Sequence, residues 1–336
     1  MNKRKIIADA GLVIVIVIVV IVAIKMQTGK IHEGYVFDRN SGVTAKDVIK
    51  FINTADFSPE KVKDYFKNDP INAYTLKYFF FLDDKFKDSR NMEELLQRVH
   101  DYLYADMPTH EMADKLFEVY KTYAYYNKGL HDETRSWGTP STAAEAVEYL
   151  HRIQDYRRKV FGGETADALF GPSLKSEEYL IRRGSIASDA GKYGAEKEKI
   201  IASLKKDMWG DDADSVDAVS EPLNRYYEKL QIYQKDLAEM GSDEERKARD
   251  REFRKEFFSQ DQLNRLDEVD RVIADNKKRE EDYYAQEGAI NDDPALDSNE
   301  KSKRITELQN NMFGEEADAF RRRLIIDKAV QPAPGK

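Results

Sequence analysis

The chain contains no cysteine in 336 residues, so no disulfide can brace it and no thiol chemistry is available. A sequence without free thiols suits an oxidising compartment. Proline is sparse: nine occur, and none lies between Pro222 and Pro294, a stretch rich in Glu, Lys, Arg, Leu and Ala that favours helix. Strand signals are missing too, because no sustained two-residue alternation bounded by turn residues appears beyond the N-terminal segment. The expected fold class is all-α. An excess of basic charge is also absent. With 35% charged residues and a formal net charge of −9, the surface does not suit nucleic acid, whose phosphates need a basic face.

Catalytic constellations are absent as well. The five histidines, His32, His100, His110, His131 and His151, form no HExxH and no other close ligand pair. There is no nucleophile elbow, no P-loop and no dinucleotide fingerprint. The acidic clusters Asp211-Asp212-Ala213-Asp214 and Asn291-Asp292-Asp293 lack the glycine and terminal glutamate of a calcium loop. The expectation is a protein that is not an enzyme, with no catalytic residue, metal, nucleotide or other cofactor.

What is present begins at the N-terminus. Lys3-Arg4-Lys5 precedes an apolar run from Ile6 to Ile24 that only Asp9 interrupts. Nineteen helical residues rise about 28 Å, close to a bilayer core of roughly 30 Å. A cleaved signal peptide would have a shorter apolar core ending in a small-x-small site, whereas this run ends in Lys25-Met26-Gln27. Residues 1–25 are therefore expected to be an uncleaved transmembrane anchor. The basic cluster keeps the N-terminus cytoplasmic by the positive-inside rule. The expected address is a bacterial inner membrane, crossed once, with the bulk of the chain periplasmic.

Residues 26–43 carry Gly, Asn and Ser without helical period and read as a tether. Thr44 with Asp47, and Ser58 before Pro59 and Glu60, look like helix starts. Helices are expected near 44–53, 58–66, 72–86, 91–105 and 109–127, forming a first small bundle. The stretch Arg135 to Ser141 breaks the pattern, and Thr142 with Glu145 makes a capping box for the next helix. Leu223, Tyr226, Leu230, Tyr233, Leu237 and Met240 step by threes and fours. Such a short seam fits a helix packed on a neighbour or a self-associating coil.

The segment Met208-Trp209-Gly210-Asp211-Asp212-Ala213-Asp214 recurs 104 residues later as Met312-Phe313-Gly314-Glu315-Glu316-Ala317-Asp318. At the same offset Ile186, Glu196, Lys197, Ile201 and Leu204 pair with Ile290, Glu300, Lys301, Ile305 and Leu308. Phe161-Gly162 is a related pair. An aromatic-Gly pair can end one helix and pack its ring while the acids suit the next helix N-terminus. Phe161, Gly162, Trp209, Gly210, Phe313 and Gly314 thus read as structural corners, with direct binding as the alternative.

Tyr78-Phe79-Phe80-Phe81-Leu82 places five large apolar side chains around a whole helical circumference. Either this helix is central, or part of its surface meets another protein. Tyr120, Tyr123, Tyr125 and Tyr126 lie on a nearby helix and can close the same core or join an interface.

Over residues 72–326 the sequence resembles the lipase-specific foldases. The resemblance rests on Tyr102-Leu103-Tyr104-Ala105-Asp106-Met107-Pro108 with Ala113, Leu116 and Tyr120, and on Arg157-Arg158-Lys159-Val160-Phe161-Gly162 through Ala168-Leu169-Phe170-Gly171. It continues in Leu180, Arg182, Arg183, Ile186, Asp189, Glu196-Lys197 and Asp293-Pro294-Ala295-Leu296. It implies a membrane-anchored periplasmic chaperone that clasps one secreted lipase, one to one. The implied plan is a mini-domain at 44–135, an extended helical domain at 141–288, a second mini-domain at 289–327 and a disordered tail at 328–336. The family signature Arg-x-x-Phe-Asp-Tyr-x-Leu-Ser/Thr-Ala falls on Tyr78 to Asp84, departing from it at Thr75, Phe79, Asp83 and Asp84. The residues expected to meet the lipase are Tyr78, Phe80, Phe81, Leu82, Asp83, Tyr120 and Tyr123. A periplasmic helical scaffold tethering an envelope complex is the rival reading.

Overall fold

The computed structural model describes residues 42–217 and 220–330. The anchor expected over residues 1–25, most of the tether and the end of the tail lie outside the described residues. Among the described residues every regular element is a helix, and no helix is long and apolar enough to cross a membrane. The chain forms two compact units that divide between Phe257 and Phe258.

Unit 1 begins with α1 (Ala45–Ile52), α2 (Pro59–Phe66), α3 (Thr75–Lys85), α4 (Met92–Asp106) and α5 (His110–Thr134). Thr44 caps α1 as expected: its hydroxyl accepts from the Asp47 amide, and the Asp47 carboxylate accepts from the Thr44 amide at 3.0 Å. Ser58 corrects the expectation for α2. Its hydroxyl makes no cap bond and instead donates to the Asp56 carboxylate, while Pro59 supplies the helix start. Helix α3 starts at Thr75, not 72. Residues 70–75 form a turn in which Thr75 accepts from the Asn72 amide and donates to the Pro70 carbonyl. Helix α5 runs seven residues past 127, and a Cβ on Gly129 inside it would lie 2.6 Å from the hydroxyl at the end of the Tyr156 side chain.

Helix α6 (Ala143–Phe161) and helix α7 (Gly163–Ser188) form a hairpin at Gly162, whose φ of 79° suits glycine. Arg158 grips Asp167 with two bonds of 2.9 Å across the corner, and His151 meets Glu178 at 2.7 Å deeper in the pair. Thr142 caps α6 through the Glu145 amide, but the reciprocal arm is shifted: Glu145 accepts from the Ser141 amide and hydroxyl. One core joins the first bundle to α7, because Leu169 and Phe170 are buried in the same cluster as Phe66, Tyr78, Phe79, Leu82, Leu103 and Tyr120. Each such buried ring or leucine contributes about 1.5–3 kcal/mol.

Helix α8 (Gly194–Trp209), a 3₁₀ turn at Gly210–Asp212 and α9 (Ala213–Asp217) follow, then α10 (Pro222–Ile232), α11 (Gln234–Glu239) and α12 (Asp243–Phe257). The seam from Leu223 is not one helix. The backbone breaks at Tyr233, whose ring turns in to pack on Phe253 at 4.8 Å, while Leu223 stays exposed. The seam therefore packs on a neighbour, α12, and does not run as a coiled coil.

Unit 2 consists of α13 (Gln260–Asp292), α14 (Ser298–Phe313), a 3₁₀ turn at Gly314–Glu316 and α15 (Ala317–Val330). It reproduces part of unit 1 bond for bond at the 104-residue offset. The Asp189 amide donates to the Ile186 carbonyl and the Asp293 amide to the Ile290 carbonyl. The Gly191 amide donates to the Asp189 carboxylate and the Ala295 amide to the Asp293 carboxylate. Both corner glycines take positive φ, 60° at Gly210 and 51° at Gly314, with open space where a Cβ would go. Both corner rings are buried, Trp209 edge-on to Tyr179 at 5.3 Å and Phe313 edge-on to Tyr283 at 5.6 Å. A cation covers each ring, Lys175 over Trp209 and Arg279 over Phe313. Residues 179 and 175 extend the repeat that the sequence signalled only from 186 onward. The two clusters are completed differently. In unit 1 Ala45 and Val48 of α1 pack beside Val216, whereas in unit 2 the residue matching Val216 is Phe320, which stacks on Phe313 at 3.8 Å and closes the cluster itself.

Candidate partner-binding surface

Seven residues of α3 and α5 carry the sequence-based expectation of a contact surface, and the structure separates them. Tyr78, Leu82 and Tyr120 are fully buried, and Tyr123 is nearly so. Tyr78 stands against Phe57 and Phe66 and donates its hydroxyl to Asp106 at 2.9 Å. Phe79 is also fully buried and packs on Tyr120 and Tyr123. Four of the seven are thus core, and the reason is geometric: a helix in the middle of a bundle has neighbours on most of its circumference. Phe80 alone of the block is exposed, at 40%, with Phe81 half-buried beside it under Lys85.

Asp83 links the two helices. Its carboxylate accepts from the Tyr120 hydroxyl at 2.6 Å. Burial pushes the Asp83 carboxyl up to about 6, against the lowering effect of the Tyr120 and Tyr123 hydroxyls. The same burial, with the carboxylate beside them, pushes both tyrosines well above their ordinary range. A tyrosine held protonated by a carboxylate that it feeds is a structural donor, not a nucleophile. Asp83 therefore supplies an acceptor for two core tyrosines.

A second exposed ring stands on α5. Tyr125 is 57% exposed and borders a shallow surface hollow with Leu96, His100 and Phe117. His100, Tyr104 and His110 stack in a row, with ring centres 4.4 and 5.0 Å apart. The sequence placed Tyr125 on the right helix but could not distinguish its outward ring from the inward rings of Tyr123 and Tyr126. Among the described residues no group of three His, Asp or Glu side chains could hold a metal ion.

The corner residues Phe161, Trp209 and Phe313 each end a helix at a positive-φ glycine. Trp209 and Phe313 are buried, and Phe161 is half-buried in the first core.

A family model described as "proteobacterial lipase chaperone protein" matches residues 119–318, from within α5 to the start of α15. No curated protein and no solved structure matches the chain.

Proposed function

The chain belongs to the proteobacterial lipase chaperone family, and from that premise we propose that it is a steric chaperone binding one secreted lipase and carrying it over its last folding barrier. The match across 119–318 carries the reading. The anchor expected at residues 1–25 would hold the protein in the inner membrane with its helical units in the periplasm, where the lipase arrives unfolded. No nucleotide enters the mechanism. A partner accelerates folding only by binding the transition state more tightly than the starting state, and about 1.4 kcal/mol of such preference is worth tenfold in rate. The first unit offers Phe80, the edge of Phe81 and the hollow beside Tyr125 as apolar contacts on a rigid aromatic core. A preorganised surface of this kind loses little entropy on binding.

The test is refolding of a secreted proteobacterial lipase from denaturant, with and without the full chain held in a lipid nanodisc, followed by esterase activity. Activity that appears only with the chain, at near-equimolar ratio and without ATP, supports the proposal. Equal recovery without the chain overturns it.

A further inference from the structure

Helix α1 precedes the first bundle in the chain but packs chiefly on α7 and α9. Its two buried residues, Ala45 and Val48, stand at i and i+3 on one face and join Tyr179, Trp209 and Val216. Two long-range contacts fix Val43 ahead of the helix. The Lys175 ammonium donates to the Val43 carbonyl at 2.9 Å, across 132 residues of chain. Gly171 makes room for the Val43 side chain, because a Cβ on it would lie 2.6 Å from a Val43 methyl carbon, and a β-branched side chain has little freedom to move aside. Toward its other end α1 leans on the first core through Phe51, and Lys77 of α3 donates to the Asn53 carbonyl just beyond it.

The 104-residue repeat supplies the comparison. Among the described residues, unit 2 builds the same corner without such a helix. Gly171 matches Asp275, which is exposed, and Val216 matches Phe320, which stacks on Phe313. Lys175 matches Arg279, whose guanidinium donates to Glu316 of its own unit at 2.8 Å. The corner is thus closed from within in unit 2, and in unit 1 by a helix brought in from the N-terminal side. A helix of eight residues does not hold its shape alone in water, so the order of α1 depends on its being docked.

We infer that the Trp209 corner of unit 1 is a docking site for the membrane-side segment of its own chain. Residues 43–48 are a latch laid on a unit that folds without it, and the latch decides where the tether leaves the protein. Docked, the chain exits at Val43 beside α7, and residues 26–42 can span at most about 60 Å to the anchor. Released, it exits at Asn53 beside α3, and residues 26–52 can span about 90 Å. The latch thereby sets which face of unit 1 turns to the bilayer. This positioning rests on the anchor expected at residues 1–25, whereas the docking does not.

The experiment uses the full chain in nanodiscs and two variants. Val48→Asp charges the buried face of the latch and leaves α7, α8 and α9 untouched. Gly171→Asp/Val216→Phe gives unit 1 the residues that unit 2 carries at 275 and 320. Amide hydrogen exchange compares residues 46–52 with those of α8 and α9, and thermal unfolding monitors the fold. Both variants should speed exchange at least tenfold in 46–52, while α8 and α9 keep their protection and unit 1 its unfolding temperature. The chain has no cysteine, so Ser215→Cys, at an exposed position of α9, takes a single fluorophore. Energy transfer from it to acceptor lipids should fall when the latch is released. If Val48→Asp also unprotects α8 and α9, or if 46–52 stay protected in both variants, the latch is overturned. Lost protection with unchanged energy transfer overturns the positioning role. A wild-type chain that does not float with lipid vesicles overturns the anchor and the positioning with it, while hydrogen exchange still decides the docking.

Discussion

Lys197 and Lys301, 104 residues apart, make the same bond: each ammonium reaches back ten residues to a carbonyl at the end of the preceding helix, Ala187 at 2.8 Å and Asn291 at 2.6 Å. The carbonyls at a helix end have no partner within the helix, and a lysine supplies one. The environments differ, since Lys197 is buried and Lys301 half-buried. Lys197→Met is expected to destabilise unit 1 by about 1–3 kcal/mol, because a buried acceptor loses its donor. Lys301→Met, where water can replace the ammonium, should cost unit 2 under about 1 kcal/mol. Amide hydrogen exchange resolved by unit measures both.

Gly210 and Gly314 take a backbone conformation that L side chains rarely adopt, yet a Cβ on either would meet nothing. The cost of alanine is therefore conformational only, about 1–3 kcal/mol at each corner. Gly288, inside α13 with open space around it, is the opposite case. Gly288→Ala should stabilise by about 0.5–1 kcal/mol by removing freedom from the unfolded chain. Urea midpoints that move in the same direction for both classes would contradict this.

Trp209 has a buried ring nitrogen with no acceptor, and the matching corner uses Phe313. Trp209→Phe thus removes an unsatisfied donor along with some apolar area. It should cost less than about 1.5 kcal/mol, against about 3–5 kcal/mol for Trp209→Ala. Differential scanning calorimetry on the pair of variants decides it.

Local signals explain which parts of this fold were legible in the sequence. The capping box at Thr44 and Asp47, the aromatic-Gly corners and the all-helical class depend on residues within a few positions of each other, and the structure contains each. The inward or outward turn of a ring depends on partners far along the chain. Tyr78 is core because Asp106 and Phe66 meet it there, and no spacing rule distinguishes it from Phe80 two residues on. The repeat faded in sequence above residue 186 because substitutions there keep the physics and not the letters: Lys175 and Arg279 are both cations over a ring, and Trp209 and Phe313 both aromatics under one.

Asp83 makes the first bundle sensitive to acid in a definite direction. Its carboxyl is raised to about 6 in the folded protein from an ordinary value of 3.8, so the folded state holds a proton that the unfolded state releases between those values. The contribution of this group to stability is greatest below pH 4, falls as pH rises toward 6 and is constant above it. The size is on the order of 3 kcal/mol. Glu177, pushed up to about 7 by burial, titrates nearby in pH, so the informative quantity is the difference between wild type and Asp83→Asn. The variant should become relatively more stable as pH rises from 4 to 6.5. A difference that is flat across this range would show that Asp83 does not titrate there.

Phe80 and Tyr78 separate contact from core. Phe80→Ala removes a ring that is 40% exposed, so the fold should lose little, about 1 kcal/mol or less. Tyr78→Phe keeps the ring but strips Asp106 of its hydroxyl donor at a buried site, at a cost of about 1–3 kcal/mol. In lipase refolding the order should reverse. Phe80→Ala loses most of the yield if the ring meets the lipase, since truncating a central aromatic anchor typically costs about 2 kcal/mol or more of binding. Tyr78→Phe, assayed at a temperature where it remains folded, should retain most of the yield. If Phe80→Ala refolds the lipase as well as wild type while Tyr78→Phe does not, the aromatic helix serves the chaperone only as core, and the contact with the lipase lies elsewhere on the chain.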